Sequence, residues 1–239
     1  MNLYGNHGKI KICNMKVNVC FYTDENFRIR ENILIDDLKS KGFDKIYNYR
    51  AEDVKQGDFY LENKELLDLE KGDGYWVWKP KIILDTFNNM EFGDVLLYID
   101  AGDKLNGDIV NSMRDFFKTE DYYFTNWNGV RIKQKHATKR DCFVLMGCDE
   151  EKYHNVAQVE AGIIGVKKTK EMITFFEEYL FFCRNRQIVS DDENIHGENF
   201  PGWQFHRWDQ SILTNLIVKN NLKFSNSFIN NITHNFFLP

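Results

Sequence analysis

The first regular feature of the chain is an almost wholly apolar run, Val17 to Tyr22 (VNVCFY). It is β-branched and aromatic, and it reads as a buried strand. Thr23, Asp24 and Asn26 follow and suit a turn or a helix N-cap. Ile29, Ile33, Leu34 and Leu38 then recur at helical spacing, and Gly42 closes that helix. Asp44 to Tyr49 predicts a second strand, so the chain opens strand–helix–strand, the signature of a parallel sheet. Lys64 to Leu69 predicts a short helical turn, broken by Gly72-Asp73-Gly74. Pro80 suits the first turn of a helix that continues through Ile82, Ile83, Thr86 and Phe87. Gly93-Asp94 ends it, and Val95 to Ile99 (VLLYI) predicts the central strand.

The second half is less regular. Tyr122 to Thr125 predicts a strand, and Thr138 a cap for a short helix through Leu145. Val159 to Val166 predicts a strand whose two glycines imply a bulge or a close backbone approach. Thr169 caps a strong helix with apolar Met172, Ile173, Phe176 and Leu180. Residues 185–203 read as a polar loop. A last helix is expected over His206 to Val218, with Trp208, Ile212, Leu213 and Leu216 inside.

Composition narrows the class. Of 239 residues, 43% are hydrophobic and 15% aromatic, enough for a large core, and three prolines leave little room for a linker. The expectation is a single domain over residues 1–239, with a flexible N-terminal extension of about residues 1–15. A net charge of −5 argues against a general nucleic-acid binder. The densest basic stretch, Arg131 to Arg140, reads as a solvated loop. Five cysteines without a Cys-x-x-Cys pair predict reduced thiols, with neither zinc nor a disulfide framework. No signal peptide and no transmembrane segment are seen, and a cytoplasmic location, bacterial or in a virus-infected host, is expected.

Four segments carry the candidate chemistry. Asp100-Ala101-Gly102-Asp103 follows the central strand, at the end where open parallel sheets bind ligands. Paired carboxylates there suit a divalent cation bridging two phosphates, although a D-x-x-D turn by itself is more often a local hydrogen-bonding turn. Gly72 to Pro80 places Trp76, Trp78 and Lys79 beside a helix start, where rings can stack and a phosphate can bind, or where the rings simply pack a hinge. His206-Arg207-Trp208-Asp209-Gln210 opens the last helix, where an isolated Asp is usually structural. Glu160 interrupts an apolar strand, so its carboxylate must be paired or face a cleft.

In this order the segments resemble the small GT-A glycosyltransferases of bacterial surface-polysaccharide clusters and large DNA viruses. The resemblance runs from about Phe43 to about Leu213. It rests on Gly74-Tyr75-Trp76-x-Trp78-Lys79-Pro80, Tyr98-Ile99-Asp100-Ala101-Gly102, Thr138-Lys139-Arg140-Asp141, Gln158-x-Glu160-Ala161-Gly162 and His206-Arg207-x-Asp209-Gln210-Ser211-x-Leu213. A fainter likeness reaches glycogenin and the retaining galactosyltransferases. Two positions depart from that pattern: Gly102 stands in place of the second Asp of a D-x-D, and Glu160 in place of Asn.

The resemblance implies an α/β GT-A fold with a mostly parallel, mixed central sheet and helices on both faces. It implies transfer of a hexose-type unit from a nucleotide-diphosphate sugar, UDP-sugar foremost, to a hydroxyl of a glycan or glycoprotein, with Mn²⁺ or Mg²⁺. The metal ligands it implies are Asp100, Asp103 and His206, with His234 a weaker candidate. A metal-poor arrangement would place Lys79 or Arg207 on the phosphates instead. Donor-binding residues are expected at Tyr22, Thr23, Trp76, Trp78, Lys79, Asp100, Ala101, Gly102, Arg207 and Gln210. Asp209 is the first candidate for the catalytic base, Glu160 the second and Asp141 the third. The rival readings are a non-catalytic glycan or nucleotide-sugar binding module and a sugar nucleotidyltransferase.

Overall fold

The structure is a computed structural model and describes residues 15–25, 27–126, 132–225 and 232–234. In chain order, β1 (Val17–Thr23), α1 (Arg28–Lys41) and β2 (Lys45–Arg50) form the expected opening unit. They are followed by α2 (Ala51–Val54), α3 (Gly57–Leu67), α4 (Gly72–Tyr75), α5 (Trp78–Asn88) and β3 (Val95–Ile99). Next come β4 (Asp103–Leu105), α6 (Ile109–Phe116), β5 (Tyr122–Asn126), a 3₁₀ turn (Gln134–His136), α7 (Arg140–Leu145), α8 (Glu151–His154) and β6 (Val159–Lys167). α9 (Lys170–Cys183), α10 (Arg186–Val189), α11 (Trp208–Lys219) and β7 (Ile232–His234) complete the described chain.

Five strands form one sheet in the order β2-β1-β3-β6-β5, and β4 pairs with β7 in a second, small sheet. β1 is parallel to both β2 and β3, whereas β6 is antiparallel to β3 and to β5. Strand alternation sends side chains into two cores. Val17, Val19 and Phe21 pack with Leu34 and Leu38 of α1 and Met113 of α6. Cys20 and Tyr22 pack on the other face with Ile82 and Phe87 of α5, Phe176 of α9 and Leu213 of α11. Helices therefore cover both faces of β1 and β3, and this explains the nearly continuous apolar run of β1 and the unbroken one of β3.

Alternation breaks within β6. Val159 and Ala161 face the same core as Ile164 and Val166. The pairing with β5 jumps from Phe124↔Ile164 to Asn126↔Val159. Three residues, Glu160, Ala161 and Gly162, thus bulge out of the ladder, the device anticipated from the glycines in this strand.

Local signals mark several element ends. Gly42 takes the left-handed conformation (φ 80°) that closes α1, and Thr169 Oγ1 accepts from Met172 N at 3.2 Å to open α9. Other expectations are corrected. On α1 the apolar spacing misleads: Ile29 and Ile33 are 85% and 71% exposed, and Glu31 is buried instead. Arg50 of β2 holds that carboxyl, with Nε 3.0 Å from Oε2, and Thr23 Oγ1 donates to it at 2.9 Å. Mainly because of Arg50, Glu31 is pushed down to about 2. Thr23 is thus fully buried beneath β1's end, not in a turn or a cap. Asp24 does turn the chain, accepting from Phe27 N at 3.0 Å, while Asn26 lies outside the described residues.

The turn expected at Lys64 extends back to Gly57 as α3. Lys139, not Thr138, takes the N-cap position of α7, and the last helix begins at Trp208. The basic stretch is not a solvated loop throughout, because Lys139 is buried with Nζ 2.6 Å from the Asp192 carbonyl. Cys20, Cys142, Cys148 and Cys183 are buried free thiols. No helix among the described residues is long and apolar enough to cross a membrane.

Candidate active site

A cleft of about 720 Å³ opens beyond the C-terminal ends of β1 and β3. Its floor is the Asp100–Asp103 turn, and one wall is the bulge of β6. The antiparallel pairing is what brings these together: Ile99 pairs with Ile163, and Asp100 N donates to Gly162 O at 2.8 Å. The first residues of α5 and α11 close the back.

Lys79 and Asp209 stand there as a buried pair. Their side chains are 3% and 5% exposed, and Lys79 Nζ lies 2.8 Å from Asp209 Oδ2. The ammonium also donates to Ala161 O at 3.1 Å and faces Asp100 Oδ1 at 3.7 Å. Burial opposes its charge, but Asp100 and Asp209 outweigh burial and raise its pKa. Asp209 and the Ala161 carbonyl take two of its protons, and Asp100 Oδ1 at 3.7 Å lies beyond hydrogen-bond distance, so the ammonium is anchored to the fold's own acidic centre. On the other side of Asp209, Tyr179 Oη donates to Oδ2 at 3.1 Å. The fold's own donors therefore both engage Oδ2 of Asp209.

Asp100 is the more open carboxylate, with a side chain 42% exposed and Oδ1 accepting from Tyr98 Oη. A Cβ placed on Gly162 would lie 2.9 Å from Asp100 Oδ2, 3.2 Å from Glu160 Oε1 and 3.3 Å from Asp103 Oδ2. Three carboxylates thus converge where Gly162 has no side chain. Glu160 Oε1 also accepts from Gly162 N at 3.1 Å.

The remaining wall is aromatic. Tyr22 stacks on Trp78 (3.8 Å, 19°) and Trp76 on Trp208 (4.9 Å, 22°). An extended Gly74–Trp78 segment would put both tryptophans on one face. Instead Asp73, Tyr75 and Trp76 adopt left-handed φ of 51°, 54° and 59°, and the indoles join different stacks. Trp208 is left-handed too, at φ 41°. Such conformations cost of order 1–3 kcal/mol each, and they concentrate at this wall. Asp73 is engaged by both Tyr22 Oη and Lys55 Nζ, which holds the turn over the end of β1.

Of the residues singled out in the sequence, Tyr22, Trp76, Trp78, Lys79, Asp100, Ala101, Gly102, Asp103, Glu160, Arg207, Asp209 and Gln210 line the cleft. Three do not. Thr23 is buried against Glu31. Asp141 accepts from Ile195 N and His196 N at 2.9 Å each, so it ties down the 190s loop rather than serving as a base. His206 is not placed as a metal ligand. Nδ1 accepts from Lys139 N at 3.2 Å and Nε2 bonds Ile188 O at 3.0 Å, so neither ring nitrogen is left for a metal. Burial, helped by Lys139, pushes its pKa down to about 3. The side chain of His234 lies outside the described residues. Arg30 of α1 also lines the cleft, and no local pattern in the sequence sets it apart from the other charged residues of that helix.

No protein-family model and no curated protein matches the chain. Among solved structures it is similar to the bifunctional glycosyltransferase WbbM, at 10% identity and a TM-score of 0.50, over 90% of this chain and 39% of that one. It is also similar to the galactosyltransferase LgtC (12%, TM-score 0.43, 88% of this chain and 73% of that one). A third is the glycosyltransferase GlyE of Streptococcus pneumoniae (18%, TM-score 0.40, 89% and 46%). The chain thus spans about two fifths of the length of WbbM. The fold is α/β of the GT-A glycosyltransferase type, a mixed sheet with a parallel core.

Proposed function

We propose that the protein is a glycosyltransferase that moves a hexose-type unit from a nucleotide-diphosphate sugar, UDP-sugar foremost, to a hydroxyl of a glycan or glycoprotein. The observation that carries this reading is the convergence of Asp100, Asp103 and Glu160 on Gly162 beside the buried Lys79–Asp209 pair. It lies at the strand ends where open α/β sheets bind ligands. Buried free thiols suit a cytosol-like compartment.

A divalent cation fits the donor set. Among the described residues no group of three or more His, Cys, Asp or Glu side chains is placed to hold a metal alone. Mg²⁺ and Mn²⁺ need only one or two carboxylates when substrate phosphates complete the shell, and Asp100 with Asp103 would supply these. When bound, the cation neutralises the leaving diphosphate. The cleft favours such an arrangement, since seven carboxylates line it against three cations.

The transfer breaks the bond from the anomeric carbon to the diphosphate oxygen and forms one to the acceptor oxygen, whose proton must be taken up. Glu160, half-buried at the rim of the bulge, is placed ahead of Asp209 for that task, because the Asp209 side chain is 5% exposed and its Oδ2 already meets both Lys79 and Tyr179. Lys79 and Asp209 then position Asp100 and the Ala161 carbonyl, and Trp76 and Trp78 shape the donor pocket. The test is hydrolysis and transfer of a panel of nucleotide sugars with Mn²⁺, Mg²⁺ or EDTA. Donor binding without hydrolysis or transfer to any acceptor would favour a non-catalytic binding module.

A further inference from the structure

The arginines of this chain divide into two groups. Among the described residues, Arg28, Arg50, Arg114, Arg140, Arg184 and Arg186 each form an ion pair, with Glu52, Glu31, Asp44, Asp149, Glu62 and Asp192. Arg30 and Arg207 are the two left without a carboxylate within 4.0 Å, and both line the cleft. Seven carboxylates line the same cleft, yet none has drawn in either guanidinium. Both side chains are half-buried, so neither is simply extended into bulk water.

The two approach from different elements. Arg30 lies in the first turn of α1, reached directly from the end of β1, and Arg207 immediately precedes α11. The third cation of the cleft, Lys79, is only 3% exposed and is already bound to Asp209 and the Ala161 carbonyl, with Asp100 Oδ1 facing it at 3.7 Å. An incoming anion would therefore find its open donors on Arg30 and Arg207. A guanidinium presents paired N–H groups that match two oxygens of one phosphate.

We infer that Arg30 and Arg207 form a two-sided clamp for the diphosphate of the nucleotide donor. This rests on the glycosyltransferase reading and adds a phosphate-binding residue, Arg30, on the first helix. The clamp separates two tasks: the arginines bind the leaving group, while the buried lysine holds the acidic centre in place.

The experiment titrates tryptophan fluorescence with uridine, adenosine and guanosine diphosphates, the matching nucleosides and inorganic pyrophosphate, each with Mn²⁺ and with EDTA. The variants are Arg30→Gln, Arg30→Lys and Arg207→Gln. Arg28→Gln serves as the control for net charge, since Arg28 pairs with Glu52 and does not line the cleft. Arg30→Gln and Arg207→Gln should each weaken nucleoside diphosphate binding about tenfold or more, with nucleoside binding unchanged. Arg30→Lys should recover part of the loss. Thermal unfolding of Arg30→Gln should match the wild type, because the substitution removes no ion pair. If the wild type binds no nucleoside diphosphate, the glycosyltransferase reading itself fails. If it binds one and Arg30→Gln matches Arg28→Gln, only the clamp is overturned. Equal weakening of nucleoside and diphosphate, or binding of pyrophosphate but of no nucleoside diphosphate, would also overturn it.

Discussion

Lys79 Nζ and Asp209 Oδ2 meet at 2.8 Å between the first turns of α5 and α11, with both side chains almost sealed from solvent. Each charge is tolerable there only because of the other. Replacing Lys79 by Met strands a buried carboxylate and should destabilise the protein by about 3–5 kcal/mol. The double variant Lys79→Met with Asp209→Leu should regain at least about 1 kcal/mol of that loss. Urea unfolding checks both, and losses that simply add would show that the pair is not coupled.

Two glycines of β6 should separate function from stability. A Cβ at Gly162 meets carboxylate oxygens of Asp100, Glu160 and Asp103, whereas a Cβ at Gly165 meets Tyr123 Cβ at 3.0 Å and Phe117 Cζ at 3.1 Å. Gly162→Ala should lower donor turnover at least about tenfold with little change in unfolding, because flexible carboxylates can yield at the cost of their geometry. Gly165→Ala should leave turnover per folded molecule unchanged and cost about 1–3 kcal/mol by overpacking. Turnover and denaturant midpoints measured on the same preparations decide, and the reverse pattern would remove Gly162 from the site.

The carboxylates should divide their work. Asp100→Ala should abolish donor turnover while the far-ultraviolet circular dichroism and the unfolding midpoint are retained, since that side chain is 42% exposed. Glu160→Gln should lose transfer while nucleoside diphosphate still binds. Transfer assays scored separately from donor binding test this, and normal transfer by Glu160→Gln would return the search for a base to Asp209.

Acid stability should carry the signature of His206. Its folded pKa, about 3, lies below the ordinary 6.5 because burial and Lys139 disfavour the charged ring. The unfolded chain therefore binds the proton first as pH falls. The stability this group contributes is complete above about pH 6.5 and is lost on acidification toward 3, at about 1.4 kcal/mol per pH unit. Proton NMR should find the His206 ring neutral at pH 5. A midpoint near 6.5 would mean that the ring is solvated.

What the sequence alone determined is what short-range physics dictates. A five-residue apolar run such as Val95–Ile99, set between Gly93-Asp94 and the Asp100 turn, is too short for a buried helix and reads as a strand covered on both faces, and all five of its residues are buried. Gly42 and Thr169 act on backbone groups within a few residues, so their caps were legible. The carboxylate turn after β3 and the aromatic segment before α5 could be placed by the same local logic. What stayed hidden depends on partners distant in sequence. Spacing put Ile29 and Ile33 on the inner stripe of α1, yet both are exposed, and the helix buries Glu31 against Arg50 of the neighbouring parallel strand. Lys79 looked like a phosphate ligand until α11 brought Asp209 onto it. His206 looked like a metal ligand until Lys139 and Ile188 took both its nitrogens. Glu160 reaches Asp100 only because β6 runs antiparallel to β3 and bulges at its start. Burial and pairing are properties of the packed chain, since one charge becomes tolerable only when tertiary structure delivers the other.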